Sequence, residues 1–573
     1  MDQFGAGGIS HSTNEMEEVT KAQMRNPSVV SAAKPQVMER VWGFAARVDE
    51  TVTVEEYMYW AKIEREMEAD EQKQFNAEVG KYPFIALLKG KMSKEGRAKQ
   101  KAEKEERERA LRVVVEAGAE GKAYPTSGNE KSLTSNTPPM EEEDHTHGGL
   151  KVSDAEWRTA ARAMRTASWG QMFFLITTDI LGWSGAPFVF ASVGYGAGVA
   201  LYIIFGIAAT FSGWAIWKVF LELDSSRYPM MSFGDPFFRM FGKKSRHFIN
   251  VAQSLQQFMT VAILILSKSL NIDQLAHSSL CFSGVMVLVM GIGMISGIIR
   301  SLKKIGWLSQ AAVFMNIANF IIIMVAAANN DPYYGAVTKS TLINTIEPIR
   351  TFAGTPPAAY QQQAVNFASQ FNAVNTMVYA YAGALLFVAF LAEMRTPMDF
   401  WKGLFCAQAF IGIVYLLFGV FVYSFYGQYS ASTIVNVIQP YSLQSVGNVF
   451  TLLTGAIAVC IVSLVGALFM INFTYSFPGM LYLAHIMQKA AILPGEGFDP
   501  ATRITTRLDH GKQRWMRAYK KTWLPSTALI IYILAGLACC GIGTWAAVEG
   551  LIQVFQPGPG GTIATSFGCP VPI

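Results

Sequence analysis

Nine apolar runs follow a polar segment of about 165 residues. Each run is long enough to cross a bilayer, which takes roughly 20 mostly apolar residues. The runs lie at about 168–192, 197–220, 247–268, 279–299, 307–329, 372–394, 403–426, 446–472 and 523–547. This pattern predicts an all-α polytopic membrane protein. Its domains would be a hydrophilic tail at 1–165, a transmembrane domain at 166–550 and a second tail at 551–573.

The first apolar run is interrupted in its middle. Gly182, Gly185 and Pro187 fall within six positions, and both residue types weaken a helix. Non-helical backbone at bilayer depth is tolerated only where it is buried in protein or lines a cavity. One acid, Asp179, precedes the break by one turn, and an ionisable residue at that depth indicates function. Since Gly and Pro are common in membrane helices, a kink that only serves packing is the alternative.

The sixth apolar run has a corresponding weak point. Its middle, Tyr379 to Ala384, has small residues around two tyrosines, with Gly383 at the weakest position. In a transporter built from two inverted five-helix repeats, helix six is the partner of helix one, and paired interruptions point to the binding site. The two runs together predict a small-solute site between two broken helices.

Basic residues are concentrated in alternate loops. Lys and Arg cluster near 222–246, 300–304, 395–402 and 476–522, whereas 271–278 and 427–445 contain none. The positive-inside rule then places the N-terminal tail in the cytoplasm and the C-terminus outside.

The N-terminal tail has three kinds of segment. Residues 54–75 have apolar positions at helical spacing, and 92–118 are dense in Lys, Arg and Glu. The charged segment indicates a solvated helix, with a surface for anionic lipid or a regulatory partner as the alternative. Residues 121–149 have the composition of a disordered linker.

The composition agrees with a membrane protein: 51% of the residues are hydrophobic and 16% are charged, against about 25% charged in soluble domains. We find no metal-ligand spacing, no Ser/His/Asp arrangement and no phosphate-binding glycine loop. We therefore expect no metal, no cofactor and no enzymatic activity. Most cysteines read as small core residues, while Cys281 and Cys569 both fall on the outer side, where they could pair.

The two interrupted runs resemble the amino acid/auxin permease family, most closely its fungal branch of neutral amino acid permeases. The matching segments are Gly182 to Tyr195 and Tyr381 to Lys402, the latter with Glu393-Met-Arg395, Pro397 and Asp399-Phe400. The resemblance covers about residues 157–550. It implies a LeuT-like inverted-repeat fold and amino acid uptake coupled to protons or sodium.

The chain departs from that family in the number of spans. The family has eleven, and nine are seen here. Residues 446–460 resemble the start of its eighth span, and Phe473 to Leu483 resemble the end of its tenth. The segment between them is missing, and because two spans are lost, the predicted orientation of the termini does not change.

A free amino acid needs hydrogen-bond donors for its carboxylate and acceptors for its ammonium group. Amides beside the first break would supply the donors, as the N-termini of half-helices do, and carbonyls freed at the second would supply the acceptors. The predicted substrate-binding residues are Gly182, Trp183, Ser184, Gly185, Ala186, Tyr381, Ala382 and Gly383. An apolar pocket around Trp183, Tyr381 and Phe387 predicts neutral aliphatic or aromatic substrates. For each aromatic side chain, simple packing is the alternative.

Asp179 is the predicted proton-coupling residue. Its charge is costly in hydrocarbon, and Thr177 and Thr178 can donate hydrogen bonds to it. The alternative is a fixed structural acid that caps a backbone amide or pairs with a polar group of the third span, such as Gln253, Gln256 or Gln257.

Glu393 and either Arg162 or Arg165 are predicted to pair as an inner gate. Glu393 lies at the cytoplasmic end of the sixth span, and both arginines lie just before the first. The alternative is a surface ion pair from Glu393 to Arg395 or Lys402.

The sequence therefore predicts a secondary active transporter that imports neutral amino acids by alternating access, coupled to protons or sodium. The expected partners are the amino acid substrate, the lipid bilayer and a cytoplasmic regulator of the tail, but no nucleic acid. The expected location is the plasma membrane, with the vacuolar membrane as the alternative. The long tail and missing spans favour a second function, a transport-inactive nutrient sensor or scaffold.

Overall fold

The structure is a computed structural model. It describes residues 49–79, 145–147, 150–152, 165, 167–180, 182–277, 279–296, 302–343, 345–362, 367–462 and 471–555. Arg162, the charged segment 92–118 and Cys569 lie outside these ranges.

Fifteen α-helices account for most of the described residues. They are α1 Val54–Val79, α2 Trp169–Ile180, α3 Ala186–Leu223, α4 Gly234–Phe241, α5 Lys243–Leu275, α6 Phe282–Ser296, α7 Leu302–Asn329, α8 Tyr334–Ser340, α9 Phe367–Ala380, α10 Phe387–Glu393, α11 Phe400–Tyr426, α12 Tyr441–Val462, α13 Phe477–Ala491, α14 Lys512–Lys521 and α15 Trp523–Phe555. Two antiparallel hairpins accompany them, formed by β1 His145–His147 with β2 Leu150–Val152 and by β3 Gly497–Asp499 with β4 Ile504–Thr506.

Five helical segments of the described chain are long and apolar enough to cross a bilayer. They are Trp183–Leu223, Lys243–Leu275, Ser309–Asn329, Pro397–Tyr429 and Trp523–Ala546. Their outward faces are apolar, with Ile207 66% exposed, Val251 69% and Ile413 62%. Because extended apolar surfaces of this kind are stable against lipid and not against water, the protein is an all-α polytopic membrane protein.

The second half of the first predicted span and the whole second span lie in α3, on either side of Gly194. Gly194 has φ 83° and ψ 174°, a backbone conformation that glycine adopts most readily. A side chain there would overlap the carbonyl of Gly354, and the amide of Gly196 donates to the carbonyl of Ala353 at 2.8 Å. The chain therefore changes direction at Gly194, beside the segment that contains Ala353 and Gly354.

The region after α12 differs from the prediction. Of the span expected at 446–472, α12 covers the part up to Val462, residues 463–470 lie outside the described ranges, and a π-helical turn, Asn472–Ser476, leads into α13. The segment 476–522, expected to be a basic loop, contains α13, the β3–β4 hairpin and α14. α13 packs against α3 and α15. α13 packs into the bundle because its apolar residues Phe477 and Leu481 are buried, and most of the basic residues of the segment come after this helix.

α3 and α11 pack against each other at the centre of the bundle. A side chain at Gly419 of α11 would overlap the ring of Phe190, so the glycine permits the close approach. The rings of Tyr202 and Tyr423 stack on Phe190. α2 contacts α11 and α7, while α9 contacts α3 and α15. Both interrupted spans thus lie beside this central helix pair.

The predicted helix in the tail is α1, and it lies against the basic face, which we define as segments 224–246 and 492–522. Glu64 accepts hydrogen bonds from the amide and the hydroxyl of Ser226 at 3.1 and 2.6 Å. The ring of Tyr57, only 1% exposed, packs edge-on against Tyr228. The helical part of the tail therefore belongs to the folded bundle.

Candidate substrate site

The first break lies where the sequence predicts it. α2 ends at Ile180, and Gly182 has non-helical φ and ψ angles of −103° and 60°. A 3-10 turn, Trp183–Gly185, then leads into α3. Pro187 is in the first turn of α3, where its missing amide costs nothing. It therefore starts the second half-helix and does not kink a continuous one.

The second break repeats this order of elements. α9 ends at Ala380, residues 381–383 are non-helical, and the 3-10 turn Ala384–Leu386 leads into α10. Ala382 and Gly383 are buried here. The paired interruption predicted from the two apolar runs is therefore present.

Tyr415 of α11 joins the two breaks through a single oxygen atom. Its hydroxyl accepts a hydrogen bond from the amide of Gly182 at 2.9 Å and donates one to the carbonyl of Ala380 at 2.8 Å. The side chain is fully buried. The sequence prediction missed this residue, because nothing in the apolar run 403–426 distinguishes Tyr415 from a tyrosine that only packs.

The first break is accessible and has backbone donors to offer. Gly182 is exposed, and Ser184 and Gly185 are half-buried, so open space lies beside the turn. No side chain caps the 3-10 turn or the start of α3, and the first amides of a helix have no partner within it. The positive end of the helix dipole favours an anionic group at this position.

The carbonyl end of α9 has the opposite polarity. The last carbonyls of a helix lack intrahelical partners, and the dipole there favours a cation. Since Tyr415 brings this end beside Gly182, the arrangement offers amide donors next to carbonyl acceptors. A zwitterion with a carboxylate and an ammonium group is the chemistry that such a pair of ends can bind.

Gly185 marks a close approach between the first break and its surroundings. A Cβ atom there would lie 3.2 Å from Cγ2 of Thr376 in α9 and 3.5 Å from the carbonyl oxygen of Ser432. Buried Ala186 follows it at the start of α3. These positions need small side chains so that the two broken helices can pack closely.

Trp183 is buried against α7 and α11. Its Nε1 donates to Oδ1 of Asn316 at 3.4 Å, and its ring packs edge-on against Phe418 with centroids 5.0 Å apart. Asn316 was missed by sequence reasoning, although an amide side chain inside the apolar run 307–329 was a usable signal.

Trp183, Tyr381 and Phe387 were expected to line one apolar pocket, and the structure gives each different neighbours. The ring of Tyr381 lies beside Tyr202, with centroids 6.2 Å apart. The ring of Phe387 lies against Phe400, at 5.6 Å. Phe387 thus packs with a residue that follows the second broken span, and a pocket shared by the three residues stays a prediction.

A cleft of 740 Å³ lies between α3 and α11, bounded on one side by Tyr381. Its lining is mostly apolar and includes the exposed side chains of Ile207 and Ile413. Thr210 and Gln408 are its polar residues besides the tyrosines. The residues of the first break do not line this cleft, whereas Tyr381 of the second break does.

Asp179 lies in the last turn of α2, just before the first break, and its side chain is outside the described part of the chain. The hydroxyls of Thr177 and Thr178 donate to the carbonyls of Phe173 and Phe174 at 2.7 and 2.8 Å. Hydroxyls in helices commonly bond back to the preceding turn in this way. Hydrogen bonding of Asp179 to these threonines stays a prediction.

The expected inner gate has a different acid in this structure. Nη2 of Arg165 lies 2.8 Å from Oδ2 of Asp224, and Nη1 lies 3.8 Å from Glu68 of α1. Burial alone would lower the pKa of Arg165, but the carboxylate of Asp224 raises it above its ordinary value. Glu393 is connected to the segment that follows Arg165 through its backbone, since its carbonyl accepts a hydrogen bond from the amide of Ala167 at 3.0 Å.

Backbone hydrogen bonds also connect two segments near Arg165, at the end of the bundle that carries the basic face. The carbonyl of Ala167 accepts a hydrogen bond from the amide of Arg395 at 2.9 Å, which completes a short parallel bridge. Nearby, Lys402 pairs with Asp399 at 2.6 Å. The segments before the first broken span and after the second are thereby joined at this end.

Lys268 is an ionisable residue within a membrane helix that the sequence prediction did not single out. The predicted third span ended at this residue, whereas α5 continues to Leu275. Its Nζ donates to the carbonyl of Thr451 in α12 at 3.0 Å. A half-buried cation inside a membrane helix is a candidate functional group.

Cys281 is disulfide-bonded. Its predicted partner, Cys569, lies outside the described residues. Within the described ranges, no group of three or more His, Cys, Asp or Glu side chains could hold a metal ion.

The comparisons with known proteins agree with this architecture. The sequence profile of the family described as transmembrane amino acid transporter protein matches residues 165–461, just over half of the chain. The match ends where the sequence analysis places the missing spans. The N amino acid transport system protein of Neurospora crassa is 22% identical over 282 residues, which are 49% of this chain and 57% of that relative. The chain thus spans little more than half the length of the curated relative it matches. The matched region contains both broken helices and their bridging tyrosine, and the chain belongs to the transmembrane amino acid transporter family.

Proposed function

We propose that this protein is a secondary active transporter that imports neutral amino acids in symport with protons. The observation that supports this most is the pair of broken helices whose amide and carbonyl ends meet at Tyr415. Backbone donors and acceptors at the ends of broken membrane helices serve small charged solutes in this kind of architecture. In this proposal the amides of Gly182–Ala186 bind the carboxylate, and carbonyls around Tyr381–Gly383 bind the ammonium group.

The neighbours of the two breaks favour a neutral substrate side chain. Trp183 contacts Phe418 and Asn316, and Tyr381 contacts Tyr202. These neighbours carry no charge, so a cationic or anionic side chain would enter uncompensated and at high cost.

Asp179 is the proton-coupling residue in this proposal, with sodium as the alternative ion. It lies in the last turn of α2, one turn before Gly182. A change of charge there would act directly on the end of the first half-helix.

The proposed location is the plasma membrane, with the N-terminal tail in the cytoplasm.

Uptake by proteoliposomes tests this function. Vesicles containing the purified protein should accumulate labelled leucine or phenylalanine when an inward proton gradient is imposed, and an uncoupler should abolish the accumulation. Excess tryptophan or phenylalanine should compete, whereas lysine and glutamate should not. Empty vesicles are the control. Stronger competition by lysine or glutamate would contradict neutral specificity, and uptake that ignores the proton gradient would contradict proton coupling.

A transport-inactive sensor is the second candidate function. The docking of α1 on the basic face favours it, because the tail is bound to both segments of that face, through Glu64 to Ser226 and through Glu55 to Arg507. Saturable amino acid binding without any uptake in the same vesicles would support the sensor and overturn the transporter.

A further inference from the structure

The hydroxyl of Tyr415 uses the same backbone groups that a free amino acid would need. It accepts from the amide of Gly182, as a carboxylate would, and it donates to the carbonyl of Ala380, as an ammonium group would. One neutral group thus imitates both charged groups of the substrate. We infer that Tyr415 is an internal ligand, which bridges the two breaks in the empty site and is replaced when an amino acid binds. This inference rests on the proposed function.

The ring of Tyr415 is held firmly, so the breaks and not the ring would move. Its centroid lies 5.3 Å from Tyr381 and 5.7 Å from Tyr202, and all three side chains are buried. The segments around Gly182 and Gly383 lack regular α-helical hydrogen bonds. These segments can therefore shift away from the hydroxyl at lower cost than the packed ring can leave them.

The bridge satisfies the backbone groups of the empty site. A polar backbone group that is shielded from water costs free energy if it has no partner. Hydrogen bonds to charged groups are shorter and stronger than those between neutral groups. A zwitterion can therefore replace both bonds of the hydroxyl with stronger ones. A ligand that has only the carboxylate or only the ammonium group can replace one, and the other bond still holds the breaks together.

The bridge thus acts as a selectivity device for free amino acids. It also joins α2 and α9 to the central helix α11 until the substrate arrives. Release of a common anchor would free both half-helices at once, which links occupancy of the site to a change at both breaks.

Tyr415→Phe tests the inference because it keeps the ring and removes the hydroxyl. Without its internal competitor, the purified variant should bind leucine about fivefold more tightly for each hydrogen bond that the substrate no longer has to replace. Its melting temperature without ligand should fall, and the rise caused by leucine should exceed that of the wild-type protein. Binding is measured by scintillation proximity with labelled leucine, and melting by differential scanning fluorimetry.

Tyr423→Phe is the matched control. Tyr423 lies two turns later on α11, is also buried, and its hydroxyl accepts from the amide of Phe352 in an outer loop at 3.0 Å. The same substitution there removes a tyrosine hydroxyl bound to a backbone amide but leaves the breaks unchanged. Leucine affinity should therefore equal that of the wild-type protein.

The outcomes separate the inference from the proposed function. If the wild-type protein binds leucine and Tyr415→Phe binds it equally or more weakly, the inference is wrong and the function stands. If the wild-type protein binds no amino acid, both are overturned.

A second measurement applies if the phenylalanine variant does not fold. With 3-fluorotyrosine placed at position 415, the ¹⁹F resonance should shift when leucine saturates the site, and a label at 423 should not respond. A resonance at 415 that leucine leaves unchanged would also overturn the inference.

Discussion

The guanidinium group of Arg165 lies 2.8 Å from the carboxylate of Asp224, and both side chains are buried at the basic end of the bundle. Arg165 precedes the first broken helix, and Asp224 follows α3. Arg65 of α1 also donates to Asp224, at 3.3 Å. One carboxylate therefore joins the tail, the entry to the first span and the end of the second.

Breaking this pair should destabilise the protein strongly. Loss of one partner from a buried ion pair costs about 3–5 kcal/mol where a charge is left without compensation. Arg65 would still contact Asp224, but an aspartate at 165 would bring a further carboxylate beside Asp224 and Glu68. We expect Arg165→Asp to lower the melting temperature, and the charge swap Arg165→Asp with Asp224→Arg to restore part of it. Lys402→Glu is the control, since its pair with Asp399 is half-exposed and should contribute less than about 1 kcal/mol. A swap with no rescue would show that the two residues do not act as a pair.

The docking of α1 should depend on its buried acids. Glu55 pairs with Arg507 at 2.7 Å and with Arg514 at 3.5 Å, so Glu55→Lys would place like charges together. We expect α1 to become sensitive to limited proteolysis in this variant. Glu66→Lys makes the same change on the exposed face of the helix and should leave the cleavage pattern unaltered. Equal sensitivity of the two variants would argue against docking through Glu55.

Glu496 should keep the docking site of α1 intact under mild acidification. Burial alone raises the pKa of this carboxyl, but the amides of Leu493 and Leu508 and the guanidinium of Arg514 lower it to about 2. Because the unfolded value is near 4.3, the carboxylate stabilises the fold above that pH, and this contribution is lost as the pH falls toward 2. The hydrogen-exchange protection factors of α1, which remove the pH dependence of intrinsic exchange, should therefore be equal at pH 7.5 and pH 5.5. A lower protection factor at pH 5.5 that Glu496→Gln reproduces at pH 7.5 would contradict this.

The small size of residue 185 should be required at the first break. A Cβ atom there would lie 3.2 Å from Cγ2 of Thr376, so Gly185→Val would push the first break away from α9. We expect uptake to fall by an order of magnitude or more, as misplacement of about 1 Å typically does. Gly185→Ala should reduce uptake less than Gly185→Val does. Adding Thr376→Ser to Gly185→Ala should partly restore uptake, because it removes the Cγ2 methyl group that the new Cβ would meet. Gly291→Ala is the control, because a Cβ at that position of α6 has no neighbour within 4 Å.

Asp179→Asn tests the proposed proton coupling. The substitution keeps the size and the hydrogen-bonding capacity of the side chain but removes its charge. We expect the variant to reach the membrane and bind substrate, yet to lose accumulation against a gradient and the dependence of uptake on external pH. Concentrative uptake with an unchanged pH profile would exclude Asp179 as the coupling residue.

The sequence alone determined the membrane class and the two helix breaks of this protein. Apolar runs longer than a bilayer crossing have few alternatives, because backbone groups in lipid must be paired within the chain. Gly182, Pro187 and Gly383 marked the breaks because their effect on a helix is local. That effect does not depend on which neighbours pack against them.

The tertiary structure decided the partners of these local features. Nothing in an apolar run says that the hydroxyl of Tyr415 reaches the breaks in two other spans, 233 residues from Gly182 and 35 from Ala380. The partner of Arg165 is likewise Asp224 and not Glu393, because charge type predicts that a pair forms but not which acid lies within reach. Such contacts depend on where whole helices cross, and helix crossing follows from packing across the bundle, which local sequence patterns do not encode.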